Sequence, residues 1–121
     1  MPDEVVYVDR FQLREGKVES FRRWASDMAT FVRENEPGTA VFNYYVDEDT
    51  GKGTAVFVFQ DADALDRHIE LAASRFNEAY EFVSSTEIDL LGQPSGSASE
   101  LAKRFGGHVT TKLAGFSRIA S

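Results

Sequence analysis

The sequence predicts an α+β fold: a four-stranded antiparallel sheet, two long helices on one of its faces, and a short C-terminal helix and strand appended. Three observations predict it. Apolar residues alternate with period two in four stretches and recur with helical spacing in two others, in the order β-α-β-β-α-β. Right-handed crossovers around a central hairpin make that order the ferredoxin-like arrangement, with both helices on the same side. The strands are also apolar on both faces, whereas two helices cover only one, so a second cover is required.

Val5 to Leu13 reads as the first strand, with Val5, Tyr7, Asp9, Phe11 and Leu13 on one face and Val6, Val8, Arg10 and Gln12 on the other. Arg14-Glu15-Gly16 turns the chain into a helix from about Lys17 to Glu34. Its stripe runs through Val18, Phe21, Trp24, Ala25, Met28, Phe31 and Val32, and Pro37-Gly38 stops it. Thr39 to Asp47 and Thr54 to Gln60 read as strands, joined by a hairpin turn over Glu48 to Gly53. Asp61 stands where its side chain can cap the next helix, and Asp63 lies at the positive end of that helix. The helical stripe passes through Leu65, Ile69, Ala72, Phe76, Ala79, Tyr80 and Val83. Ser84-Ser85 then reads as its end, with Thr86 to Leu91 as a fourth strand.

Beyond Gly92 the composition changes. GQPSGSAS is a loop, Ser97 and Glu100 read as a capping box for a short helix to about Phe105, and Val109 to Leu113 reads as an edge strand. The chain thus divides into a ferredoxin-like domain, residues 1–92, and an extension, residues 93–121, that packs on the same domain or on the partner subunit. Either this extension covers the second sheet face or a second copy of the sheet does. The extension is short for a whole sheet, which favours a homodimer with Val109 to Ile119 docked on the partner or on a sheet edge.

Composition narrows the function classes. The absence of cysteine excludes disulfides, thiolate metal sites and a cysteine nucleophile, and fits a reducing compartment. No apolar run approaches the ~20 residues of a membrane span, and the acidic start MPDEVVYV is unlike a leader, so a soluble, cytoplasmic protein is expected. A formal net charge of −7 repels nucleic acid and anionic membrane, so neither is an expected partner. His68 and His108 are isolated, the acidic runs lack calcium-loop spacing, and there is no phosphate loop or nucleophile elbow; no metal is expected. Ten Phe, four Tyr and one Trp favour a bulky aromatic core, an aromatic-lined pocket, or both.

Several of these features together resemble the antibiotic biosynthesis monooxygenase family. They are the Phe11 to Gly16 strand end and turn, the helix with Phe21 and its Pro-Gly stop, the hairpin, and the Ala64-Leu65-Asp66-Arg67-His68 … Arg75-Phe76 helix. The resemblance spans roughly Val5 to Leu91 and implies a dimeric α/β-barrel, in which two ferredoxin-like sheets pack face to face. It implies a cofactor-independent monooxygenase that oxidises a quinol or phenolic aromatic substrate. The alternative is a non-catalytic small-ligand-binding or structural dimer of the same fold. Haem-degrading members carry an Asn, a Trp and a His where this chain has Asp9, Phe59 and Tyr80, so no haem role and no other cofactor are expected.

Cofactor-free oxygenation needs a base near neutral pKa, donors that hold an anion, and a dry aromatic pocket. His68 and Asp9 are the candidate catalytic groups; a histidine packed on the helix flank and a solvated strand-end carboxylate are the respective structural alternatives. Tyr44 and Tyr80 are candidates to orient a phenol, and Arg75 to hold an anion. Trp24, Phe59 and Phe76 are candidate pocket walls, Trp24 and Phe76 reading first as helix-to-sheet packing and second as wall.

Overall fold

The computed structural model describes residues 3–119. Its elements run β1 (Val5–Leu13), α1 (Val18–Asn35), β2 (Thr39–Val46), β3 (Lys52–Phe59), α2 (Ala62–Ala79), β4 (Val83–Leu91), α3 (Gly96–Arg104) and β5 (Val109–Thr110). The sheet order is β2-β3-β1-β4-β5, so the central pair β1 and β3 is flanked by the partners each needs. The first four strands are antiparallel neighbours, as the ferredoxin-like order requires.

The sheet nonetheless has five strands and is mixed, which corrects the expected four-stranded antiparallel sheet. β5 pairs with β4 in parallel, Leu90 beside Val109 and Leu91 beside Thr110. A parallel neighbour needs a crossover, and α3 supplies it, turning back at Gly106-Gly107 to lay β5 along the open edge of β4. The edge strand is also shorter than expected, because only Val109 and Thr110 have β4 backbone left to pair with before Gly92 turns away.

Two further boundaries differ. Ser84-Ser85 does not end a helix but lies at the start of β4, because α2 stops at Ala79 and Val83 already pairs with Leu13, with Ser84 as the extra residue of a β-bulge in β4. The cap of α3 is Ser95 rather than Ser97: its hydroxyl accepts from the Ala98 amide at 3.2 Å and donates to Asp66 Oδ1 at 2.7 Å. That second bond ties the start of α3 to α2. Asp61 caps α2 as its position predicts, accepting from the Ala64 amide at 2.8 Å.

The odd-numbered residues of β1 face the helices. Val5, Tyr7, Phe11 and Leu13 join Phe57 and Phe59 of β3, Leu65 of α2, and Phe21 and Ala25 of α1 in one buried core. Val6 and Val8 lie on the opposite face in register with Val58 and Val56, with Val41 beyond Val58 and Leu91 beyond Val6. Among the described residues no helix packs there, and Leu91 is 41% exposed. The described part of the extension does not cover this face. α3 lies over β4 and α2 on the helix side, with Ala98 and Ala102 fully buried. After β5 the chain runs outward, leaving Leu113 99% and Phe116 78% exposed.

Candidate active site

Between the helices and the sheet lies a cavity of about 250 Å³ whose floor is β1 and β4. Tyr7 and Asp9 reach it because residues two apart on a strand share a face. Tyr44 reaches it from β2: Asp9 and Tyr44 both pair with Ala55 of β3, so the smallest side chain of that row stands between them. Trp24 and Phe21 of α1 and Phe76 and Tyr80 at the end of α2 form walls, and Leu101, Arg104 and Phe105 of α3 close one side.

The walls are held by aromatic contacts. Tyr7 stacks on Phe57 at 5.0 Å between centroids, and Phe21 meets Tyr44 edge-on at 5.6 Å. Trp24 is braced by Phe82 at 6.0 Å, and its indole N–H points to Glu78 of α2. A dry cavity of ~150 Å³ takes one benzene ring, so this one has room for a two-ring aromatic.

The floor carries the polar groups. Asp9 accepts a hydrogen bond from the Thr86 hydroxyl, across the β1 to β4 ladder. Burial pushes its carboxyl up to about 6, partly opposed by that hydrogen bond, so it changes charge close to neutral pH. Tyr44 and Tyr7 are pushed well above the usual phenol range, first by burial and then by the Asp9 charge. Both therefore remain O–H donors at neutral pH, and neither hydroxyl has a hydrogen-bond partner among the described residues. The arrangement is one titrating carboxyl and two free phenol donors at the bottom of an aromatic cleft.

Five of the eight residues singled out in the sequence meet in this cavity: Asp9, Tyr44, Trp24, Phe76 and Tyr80. His68 does not. Its ring lies at the centre of the α2 stripe rather than on its flank, fully buried among Phe42, Phe57, Phe59 and Phe76, and its Nδ1 is 2.8 Å from Glu36 Oε1. Phe59 is sealed in the helix-side core and does not line the cavity. Arg75 turns away to α1, its guanidinium 4.4 Å from the Phe31 ring centroid.

Sequence reasoning missed Tyr7, Thr86 and Arg104 as site residues. Tyr7 carried a signal, since it lies two residues before Asp9 on the same strand face. Thr86 carried none without the register of β4. For α3 the signal was the spacing of Leu101 and Phe105, one apolar face with Arg104 beside it, which marks a wall rather than a free appendage.

The family model described as antibiotic biosynthesis monooxygenase matches residues 5–75. No curated protein matches the chain. Among solved structures, MupZ from Pseudomonas fluorescens is similar over 96% of this chain and 95% of its own, at 19% identity and a TM-score of 0.77. Rv0793 from Mycobacterium tuberculosis is 19% identical over 78% of this chain and 99% of its own, with a TM-score of 0.65. SO0527 from Shewanella oneidensis is 24% identical over 74% and 90%, with a TM-score of 0.64. At these identities the likeness is one of fold. The first of them extends over nearly the whole chain, including the region of α3 and β5, while the other two stop short of a fifth of it or more.

Proposed function

The chain belongs to the antibiotic biosynthesis monooxygenase family, and from that premise we propose that its cavity binds a phenolic or quinol substrate of about two rings and oxygenates it without a cofactor. The observation that carries the proposal is Asp9: a partly buried carboxyl with its pKa raised to about 6, flanked by the unpartnered hydroxyls of Tyr7 and Tyr44 on an aromatic-walled floor.

The substrate hydroxyl points at Asp9, which is mostly ionised at pH 7 and accepts its proton. Tyr44 and Tyr7 donate to the phenolate oxygen, holding in a dry cleft the anion that burial alone would disfavour. The electron-rich anion passes its electrons directly to oxygen. A hydroquinone plus O2 then yields a hydroxyquinone plus water: one oxygen atom joins the ring, and the other leaves with two hydrogens of the substrate. Trp24, Phe21 and Phe76 clamp the ring and keep water from the reacting carbon. His68 has no part in this scheme. A purely structural dimer would fill the space above Asp9 with Phe57 and Trp24, and an open cleft over a titrating carboxyl favours the enzyme over that reading. The working unit of this proposal is a homodimer joined through the uncovered sheet face.

Oxygen uptake with a panel of hydroquinones and hydroxylated two-ring phenols tests it, wild type beside Asp9→Asn with the fold of each checked by circular dichroism. Substrate-dependent uptake that falls roughly a hundredfold in Asp9→Asn is expected for loss of a general base. No uptake across the panel, or equal uptake by the variant, defeats the proposal.

A further inference from the structure

Asp9 and Arg104 are the two charged side chains that line the cavity among the described residues. They differ in every other respect. Asp9 is largely buried on the sheet, whereas Arg104 is exposed at the end of α3. Arg104 also makes no ion pair and no side-chain hydrogen bond among the described residues. The other arginines nearby are committed: Arg14 donates to the Tyr80 carbonyl and Arg75 lies over Phe31.

A cation in the last turn of a helix is favoured by the helix dipole whatever else it does. Lys103, next to Arg104, meets that need and faces away from the cavity. The position of Arg104 is also fixed rather than incidental. Leu101 and Phe105 on either side of it line the same cavity, Ala98 and Ala102 are buried beneath, and the Ser95 bond to Asp66 pins the far end of the helix. With a formal net charge of −7, the field of the whole chain works against an anionic ligand. A lone guanidinium at the mouth is what would admit one, and its planar fork matches a carboxylate.

We propose that Arg104 selects a substrate with an acidic group, a carboxylate on the end of the molecule remote from the phenol, so that the ligand enters phenol first and is held between Asp9 and Arg104. This rests on the reading of the cavity as the substrate site. It also gives the C-terminal extension a role in specificity, since α3 lies outside the residues that the family model matches.

The test is isothermal titration of the full chain with two ligands of equal size: a hydroxynaphthoate whose carboxylate sits on the ring away from the hydroxyl, and its methyl ester. The wild type should bind the acid roughly five- to tenfold more tightly than the ester. Arg104→Gln should bring that ratio close to one, Arg104→Lys should keep part of it, and added salt should shrink it in the wild type. A ratio that survives in Arg104→Gln, or that never exceeds one, overturns the role of Arg104 while leaving the cavity as the binding site. If neither ligand binds, the inference falls together with the reading beneath it.

Discussion

His68 Nδ1 lies 2.8 Å from Glu36 Oε1, and both side chains are sealed from solvent, which ties the middle of α2 to the residue that ends α1. Thr39 donates to the same oxygen at 3.1 Å, so the first residue of β2 joins the knot. Glu36 Oε2 and His68 Nε2 have no partner among the described residues. His68→Ala removes a ring caged by four phenylalanines and leaves the buried Glu36 carboxyl with Thr39 alone as a side-chain donor among the described residues. Urea unfolding should show a loss of about 3 kcal/mol. Glu36→Gln keeps an acceptor for both donors and should cost only ~1 kcal/mol. Oxygen uptake per folded molecule should stay unchanged in His68→Ala, since no atom of His68 reaches the cavity. A loss of uptake without a loss of stability would return His68 to the active site.

Asp9 links activity to stability with opposite signs. Its folded pKa, raised to about 6 by burial, stands above the ~3.9 of an unfolded aspartate. Between these values the folded chain holds a proton that the unfolded chain has lost. Stability therefore falls as pH rises from about 4 to about 6, by on the order of 2–3 kcal/mol, and is level above. Activity should rise through the same window, because the ionised carboxylate is the base. Asp9→Asn should unfold at higher urea than the wild type at pH 7.5 and at the same urea near pH 3.5, while losing activity at pH 7.5, where the wild-type carboxylate is ionised. Equal urea midpoints for the two proteins at pH 7.5 would show that Asp9 pays no burial cost.

How much of this was legible in the sequence follows from the range of each signal. β1, the stop of α1 and the N-cap of α2 are local, and Val5 to Leu13, Pro37-Gly38 and Asp61 were read correctly from their neighbours alone. Asp9 was legible because strand alternation puts it with Tyr7 and Phe11. His68 misled because helical spacing places a residue near a stripe but not at its centre, and only the partner at Glu36, on another element, makes a buried histidine tolerable. β5 and the start of β4 depend on backbone pairing between distant segments. A serine pair such as Ser84-Ser85 fits a strand or a break equally well until Gln12 and Leu13 are beside it.

Gly107 is the pivot on which α3 and β5 dock. A Cβ there would sit 1.6 Å from the Ile88 carbonyl oxygen, inside the backbone of β4. Gly107→Ala must push the chain off the sheet edge, breaking the bond from the Leu90 amide to the His108 carbonyl at 2.9 Å and loosening the α3 wall. Hydrogen exchange should show the amides of α3 and of Leu90 losing protection while those of β1 and β3 keep theirs. Affinity for an aromatic ligand should fall in parallel. Full protection of α3 in the variant would mean that the extension is not seated through this glycine.

The uncovered sheet face sets the last expectation. Val6, Val8, Val56 and Val58 form a contiguous apolar square at the sheet centre, extended by Val41 and Leu91, with no helix or strand over it among the described residues. Burying such a face against a copy of itself is the isologous contact that closes a two-fold dimer. A charge at its centre would then be buried against its own symmetry mate, which costs several kcal/mol. Light scattering at micromolar concentration should give twice the 13.5 kDa of one chain for the wild type and 13.5 kDa for Val56→Asp. The tail contributes separately. Leu113 and Phe116 project beyond β5, where Lys112 pairs with Glu4 at 3.2 Å. Ending the chain after Lys112, rather than at Gly92, keeps α3 and β5 in place and removes only the projecting segment. If that segment grips the partner, the truncated dimer should dissociate at higher protein concentration while each chain keeps its urea midpoint as a monomer. An unchanged dissociation constant would make the tail independent of assembly, and a wild type that stays at 13.5 kDa would leave the apolar square without the partner assigned to it here.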